Sequence, residues 1–390
     1  VISMSLGAPG YSNDPLSTAV DNAVTAGVVA VIAAGNSGPT GNSYCRHASL
    51  EIGFFSICSP GASLKAITVG ASSKQDVLAG FSSRGYALFS NESISAIKPD
   101  VTAPGVGINS TVPNVICLLC SLTGYSSLSG TSMATPHIAG VVALLKQAHP
   151  SWTPSEIKSA ITNPSKDLGY SAIEQGTGRV NAFKSYSTKT FIIPNNKFMG
   201  VDTLPDNQIF QRSALFTIKN INTQSQTYTL TVNITPPMTF SLIPATVTIN
   251  PNQNATINLT VQLNNALATD ANYDGKIIVS NQNITVPFSV FKTHYLTVVI
   301  GPFHRFTYFL NLTGSLKAII DTMIPPAINI TIQVPLPIGI YHTLSVFPFT
   351  VPSWFISPPF FSTKSTLIFH TTNFTATSPP LYISKEQANR

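Results

Sequence analysis

The residues of this 390-residue chain best suited to chemistry are Gly130-Thr131-Ser132-Met133-Ala134-Thr135-Pro136-His137. A loop of small residues, 126–131, runs into an apolar stretch, 132–148, whose spacing predicts a buried helix closed before Pro150. At a helix N-terminus the free backbone N–H groups and the helix dipole favour developing negative charge. A serine placed there can attack a carbonyl while its own N–H helps to hold the resulting oxyanion. Taken alone, Ser132 reads as an ordinary N-cap; its seven neighbours are what point to a nucleophile.

Acyl transfer needs further donors aimed at the tetrahedral oxygen, and Asn36 is placed to supply one. The run Val28-Val29-Ala30-Val31-Ile32-Ala33 is apolar throughout and reads as a buried strand, so Asn36 follows a rigid element. Asn36-Ser37-Gly38 is also good turn chemistry, and the two roles are compatible. Upstream, Val1 to Gly7 reads as another buried strand, and residues 15–26 as an amphipathic helix that begins at Pro15 and stops at Gly27. Strand, helix and strand in that order predict a right-handed βαβ unit of a parallel sheet, with Ala66 to Val69 as a further strand. Thr153, Pro154 and Glu156 form a capping box that predicts a helix over 153–163.

The octet resembles the nucleophile motif of the subtilisin-like serine proteases (subtilases), and the resemblance extends over roughly the first 185 residues. Ala33-Ala34-Gly35-Asn36-Ser37-Gly38 is similar to the family's oxyanion-hole segment, Ser5-Leu6-Gly7 to its substrate-binding strand, and the segment from Lys98 to Gly105 to the loop that precedes the nucleophile. The resemblance implies a serine endopeptidase with Ser132 and Asn36 as catalytic groups. It also implies that Ser5, Leu6, Gly7, Ala34 and Gly35 line the pocket for an extended polypeptide substrate. The family's Asp-Ser/Thr-Gly and His-Gly-Thr-His segments, which precede the Ser-Leu-Gly strand, do not occur in these 390 residues. His137 lies five residues beyond Ser132 on the same helix, reads as a packed structural residue and does not replace the missing base. His149, at a helix end, reads as a dipole partner. The fold class expected is therefore α/β, a subtilisin-like parallel sheet with helices on both faces, incomplete at its N-terminus and followed by β-sandwich structure. The expected partner is the missing N-terminal half of the catalytic domain, and the chain alone is expected to hydrolyse peptides poorly. A protease-derived binding glycoprotein that has lost catalysis is the alternative.

After about residue 190 the texture changes to alternating Thr- and Val-rich segments, which mark half-buried strands. The expected organisation is a peptidase segment over 1–190, a β-sandwich over 200–292, and a β-rich segment over 293–390. The middle part resembles, in order and texture, the fibronectin type III-like modules that follow the catalytic domain in large secreted subtilases.

Only 9% of residues are charged, against about 25% in ordinary soluble domains, so glycan is the expected source of surface polarity. Sequons stand at Asn91, Asn109, Asn233, Asn254, Asn258, Asn283, Asn311, Asn329 and Asn373. The cysteines form two local pairs, Cys45 with Cys58 and Cys117 with Cys120, which suit disulfides in an oxidising compartment. Zinc at Cys117, Cys120 and His47 is the sharper alternative. Together these features predict an extracellular protein. The net charge of +6 is spread thinly, with no basic run of the kind a nucleic-acid site shows. No stretch of about 18 apolar residues predicts a transmembrane segment. No cofactor is expected; calcium is implied by the family resemblance alone, and no acidic loop marks a site for it.

Overall fold

The computed structural model describes residues 1–39, 55–90, 93–113, 123–204, 206–280, 282 and 284–293, and beyond them the backbone of six strands. The expectations for Cys45, His47, Asn91, Cys117, Cys120, Asn283, Asn311 and Asn373 lie outside the described residues. The chain divides into two compact units, Val1–Lys292 and Thr293–Arg390.

The first unit opens with β1 (Ile2–Met4), α1 (Pro15–Thr25), β2 (Ala30–Ala33), β3 (Ile67–Ser72), β4 (Gly85–Leu88), β5 (Ile94–Lys98) and β6 (Val101–Pro104). It continues with β7 (Ile108–Thr111), β8 (Tyr125–Leu128), α2 (Thr131–Ala148), α3 (Pro154–Thr162), α4 (Ala172–Gln175) and α5 (Ala182–Ser187). Strands β1, β2, β3 and β6 form a parallel sheet in that spatial order, with Ser3 beside Val31, Val31 beside Ile67, and Val69 beside Val101. Ala134, Ile138, Val142 and Leu145 repeat at helical spacing along α2 and bury against Val31, Val69, Val101 and Ala103 on one face of this sheet. Val20 of α1 packs with Ala30, Ile32 and Ala66 on the other face. A parallel sheet must cover both faces in this way, because its strands are apolar on both sides.

Two sequence expectations change here. The first strand is not buried: Val1 is 57% and Ile2 38% exposed, because β1 is the edge of the sheet among the described residues. His137 is exposed rather than packed, since it lies on the face of α2 turned away from the sheet, with Nδ1 bonded to the Met133 carbonyl at 2.8 Å.

The same unit continues with β9 (Thr190–Ile193), β10 (Lys197–Asp202), β11 (Ile209–Asn220), β12 (Gln226–Ile234), β13 (Met238–Ile243), β14 (Thr246–Ile249), β15 (Asn254–Asn264), β16 (Ala271–Val279) and β17 (Ile284–Lys292). These build two sheets, in the orders β13-β15-β11-β9 and β10-β17-β16-β12-β14. Their facing sides supply one apolar core that includes Phe216, Tyr228, Leu259, Ile277 and Phe288. Two strands that begin before residue 200, β9 and β10, already belong to these sheets.

Polar and aromatic contacts join this sandwich to the preceding segment. The buried Tyr86 hydroxyl meets Asn272 and, at 2.9 Å, Ser289, while its ring packs against Phe198 and Phe291. Burial pushes the Tyr86 phenol well above its ordinary value. Glu156 closes its capping box on Thr153 and also takes an ion pair from Lys219 at 2.7 Å.

The second unit contains β18 (Tyr295–Ile300), β19 (His304–Leu310), β20 (Ser315–Ile320), β21 (Ile328–Pro335), β22 (Tyr341–Phe349) and β23 (Ser365–His370). They form one antiparallel sheet in the order β22-β21-β18-β19-β20-β23, and Asn329 lies in β21. Among the described residues no helix is long and apolar enough to cross a membrane.

Candidate active site

Ser132 is the second residue of α2, and its hydroxyl donates to the Ser5 carbonyl at 3.3 Å. The Ser5 hydroxyl returns a bond to the Ser132 carbonyl at 2.8 Å, so the chain leaving β1 lies directly beside the helix mouth. Asn36 follows β2 and is exposed, while Ala34, Gly35 and Ser37 around it are buried. Its Oδ1 accepts from the Thr131 N–H at 2.9 Å and from the Thr131 hydroxyl at 3.0 Å. That hydroxyl in turn accepts from the Gly35 N–H at 3.2 Å. With Oδ1 doubly held, the carboxamide cannot rotate freely, and Nδ2 is turned away from Thr131.

Gly130 lies beside Nδ2. A Cβ built on Gly130 would stand 3.4 Å from Asn36 Nδ2 and 3.6 Å from the Ser132 backbone nitrogen. Asn36 Nδ2 and the Ser132 backbone nitrogen therefore lie close to one point, which Met133 Sδ bounds at 3.6 Å and which no side chain at 130 fills. Neither donor has an acceptor among the described residues. The loop is held in place by the Gly130 N–H, which donates to the Gly105 carbonyl at 2.8 Å. Gly105 must itself be small, because a Cβ there would meet Gly130 O at 2.7 Å and the Ala71 side chain at 2.8 Å.

The segments from Ser5 to Gly7 and from Ala34 to Asn36 flank this space and are packed through Cys58. The Cys58 N–H donates to the Ala34 carbonyl at 3.0 Å, and a Cβ on Gly7 would lie 2.9 Å from Cys58 Cβ. Ser5 and Leu6 are exposed. Cys58 itself is buried and disulfide-bonded.

Asp100 is buried with one carboxylate oxygen 2.7 Å from Lys98 Nζ and the other 2.7 Å from Lys158 Nζ. The Thr68 N–H also donates to it, at 2.8 Å. Burial alone would raise the Asp100 carboxyl, but the two ammonium groups outweigh burial and hold it at about 2. One carboxylate cannot compensate two cations, and burial together with Lys158 lowers Lys98 to about 8. Among the described residues no group of three or more His, Cys, Asp or Glu side chains gathers, and this carboxylate is already neutralised by lysine.

The structure thus brings Ser132, Asn36, Ser5, Gly7, Ala34 and Gly35 to one place. Thr131, whose only sequence signal is its position inside the octet, emerges as the residue that orients Asn36. No imidazole or carboxylate among the described residues is bonded to the Ser132 hydroxyl. His149 caps the far end of α2 and stacks on Trp152 with ring centroids 3.8 Å apart. Of the sequon asparagines, Asn109, Asn233, Asn254 and Asn258 are exposed.

The family model described as the subtilase family (peptidase S8) matches residues 1–179. Residues 1–179 are a subtilase segment. It is 40% identical over 181 residues to "Serine protease AprX" of Bacillus subtilis, an alignment that covers 42% of this chain and 37% of that protein. It is 38% identical over 182 residues to "Alkaline elastase YaB" of a Bacillus species, with coverage of 47% and 39%. "Subtilisin BL" of Lederbergia lenta is 37% identical over 182 residues, with coverage of 47% and 54%. The chain thus spans between about a third and a little over half of the length of these relatives. A solved structure titled as proteases from Pseudoalteromonas arctica shares 29% identity over 47% of this chain and 49% of that chain, at a TM-score of 0.34. The family assignment rests on sequence. The segment contains the Ser-Leu-Gly, oxyanion-type and nucleophile-type motifs of a subtilase, set on a parallel sheet.

Proposed function

We propose that this subtilase segment belongs to an extracellular serine endopeptidase that cleaves polypeptides through an acyl-enzyme on Ser132. In this reading the Ser132 Oγ attacks the scissile carbonyl carbon and its proton passes to a base. The carbonyl oxygen becomes an oxyanion held by Asn36 Nδ2–H and the Ser132 N–H. The C–N bond then breaks as the leaving amine takes the proton, and water hydrolyses the ester. The substrate backbone lies as an added strand between residues 5–7 and 34–36. The observation that carries the reading is the closeness of those two nitrogens to one point beside Gly130 that no side chain at 130 fills.

The base and its orienting carboxylate are supplied by sequence other than these 390 residues. Without them the serine retains only what binding and the oxyanion donors provide, on the order of a thousand- to ten-thousandfold over water in subtilisin, the measured case. Residues 200–292 are read as a fibronectin type III-like module of an extracellular glycoprotein. Nucleic acid is not a partner in this reading.

Labelling with a fluorophosphonate probe tests the assignment. Ser132 is expected to carry the label in the natural protein, and Ser132→Ala is expected to abolish it. Label on another residue, or label that survives the substitution, refutes the role. A transcript that starts just before Val1 and yields an unreactive protein favours a non-catalytic binding glycoprotein instead.

A further inference from the structure

The outward face of the β13-β15-β11 sheet is built in cross-strand rows that are mostly polar; at its end Ile209, 59% exposed, stands beside Asn264, and one row within the face is flanked by apolar side chains on both sides. Gln211, Gln262 and Thr239 form one row, with Gln262 Nε2 donating to Gln211 Oε1 at 2.6 Å. Ser213, Thr260 and Ser241 form the next, with the Ser213 and Thr260 hydroxyls 2.7 Å apart. Thr217 beside Thr256 and Lys219 beside Asn254 continue the pattern beyond. The row between them is Leu215, Asn258 and Ile243, in which two large apolar side chains, 64% and 67% exposed, flank one asparagine from both sides.

An aliphatic pair left in water on a regular sheet face forgoes roughly 1.5–3 kcal/mol per side chain relative to burial, and such pairs are the seeds of sheet-to-sheet association. Few charges are available to offset them, since only 9% of the residues are charged. The asparagine between them begins a sequon, Asn258-Leu259-Thr260, and is itself exposed.

We propose that Asn258 carries an N-linked glycan whose first sugars lie across Leu215 and Ile243. The apolar face of a pyranose ring covers the aliphatic side chains, while its hydroxyls face water. In the modification step Asn258 Nδ2 forms a bond to C1 of the first sugar of a lipid-pyrophosphate-linked oligosaccharide. The C1–oxygen bond to the pyrophosphate breaks, and the amide proton leaves with the departing lipid pyrophosphate. Because the fold engages the Thr260 hydroxyl with Ser213, the transfer precedes the pairing of β11 with β15. The inference rests on the extracellular reading above and is independent of catalysis at Ser132.

The test is glycopeptide mapping of the full chain secreted from a eukaryotic host, for wild type, Asn258→Gln, Thr260→Ser and Thr260→Ala. Wild type and Thr260→Ser are expected to carry sugar at Asn258, and Asn258→Gln and Thr260→Ala to lose it. Both unmodified variants are expected to bind a hydrophobic dye several-fold more strongly and to self-associate. Adding Leu215→Thr and Ile243→Thr is expected to reverse both effects. Bare Asn258 in a protein modified at Asn109, Asn233 or Asn254 overturns this inference alone. A chain that reaches the medium with no sugar at any sequon overturns the glycoprotein reading as well. Wild type that is bare at Asn258 and dimeric through Leu215 and Ile243 assigns the row to a second copy instead. Loss of the glycan without a change in dye binding or association refutes the shielding role.

Discussion

Thr131→Val removes a hydroxyl and little else, which makes it the most direct test of how Asn36 is aimed. Thr131 is 1% exposed, and valine fills nearly the same volume. The change deletes the 3.0 Å bond to Asn36 Oδ1 and leaves the 2.9 Å bond from the Thr131 N–H, so the carboxamide keeps one of two anchors. A neutral hydrogen bond contributes a net ~1 kcal/mol, and 1.4 kcal/mol is a factor of ten, so restraint worth roughly three- to tenfold in rate is lost. Deleting the donor outright, as in Asn36→Leu, is expected to cost about a hundred- to a thousandfold, the range measured for the corresponding asparagine of subtilisin. The Gly35 N–H also loses its 3.2 Å acceptor in a buried position, which costs about 1–3 kcal/mol of stability.

The assay is the second-order rate constant for fluorophosphonate labelling of Ser132, measured together with the denaturation midpoint. In the active protein the loss is expected in kcat, with KM little changed. Thr131→Ser is expected to restore the rate, and Asn36→Leu/Thr131→Val to be no slower than Asn36→Leu alone. An unchanged rate in a destabilised Thr131→Val protein makes the residue purely structural. Additive losses in the double variant show that the hydroxyl does not act through Asn36, and either result refutes the reasoning.

Three further outcomes concern the buried charges around Asp100. Asp100→Asn leaves the Lys98 and Lys158 ammonium groups without a counter-ion and is expected to cost about 3–5 kcal/mol in denaturant unfolding, whereas Lys98→Met leaves a neutral pair and is expected to cost less; the reverse order contradicts the charge count. Because Lys98 is lowered to about 8, the folded state releases its proton before the unfolded state does, and this group makes stability rise between about pH 8 and pH 10. The full difference from 10.5 corresponds to ~3 kcal/mol, the rise ends where unfolded tyrosines ionise while buried Tyr86 does not, and Lys98→Met should abolish it. Asp100, held at about 2, gives the opposite limb: its contribution is complete above about pH 4 and is lost as the pH falls through 2, by ~2 kcal/mol, and a flat acid profile would contradict its pairing.

Much of the peptidase segment was legible in the chain because its determinants are local. Pro15 and Gly27 bound a helix observed over Pro15–Thr25, and Thr153 and Glu156 close the capping box read from their spacing. The octet announces Ser132 because eight consecutive residues build one loop and one helix mouth. The alternation of Thr and Val after residue 190 likewise marks strands, since period two is a property of each strand alone.

What only the tertiary structure decided lies across long sequence separations. Residue types alone do not reveal that Thr131 holds Asn36 across 95 positions, that Gly130 keeps the donors' space open, or that Asp100 answers two lysines. Nor do they reveal that Asn258 sits between Leu215 and Ile243. His137 and β1 make the same point: helix and strand were readable from periodicity, but which face meets water depends on what packs against it. Backbone preference and side-chain period act over a few residues, whereas the pairing of distant groups is set by sheet order and register, which no single segment encodes.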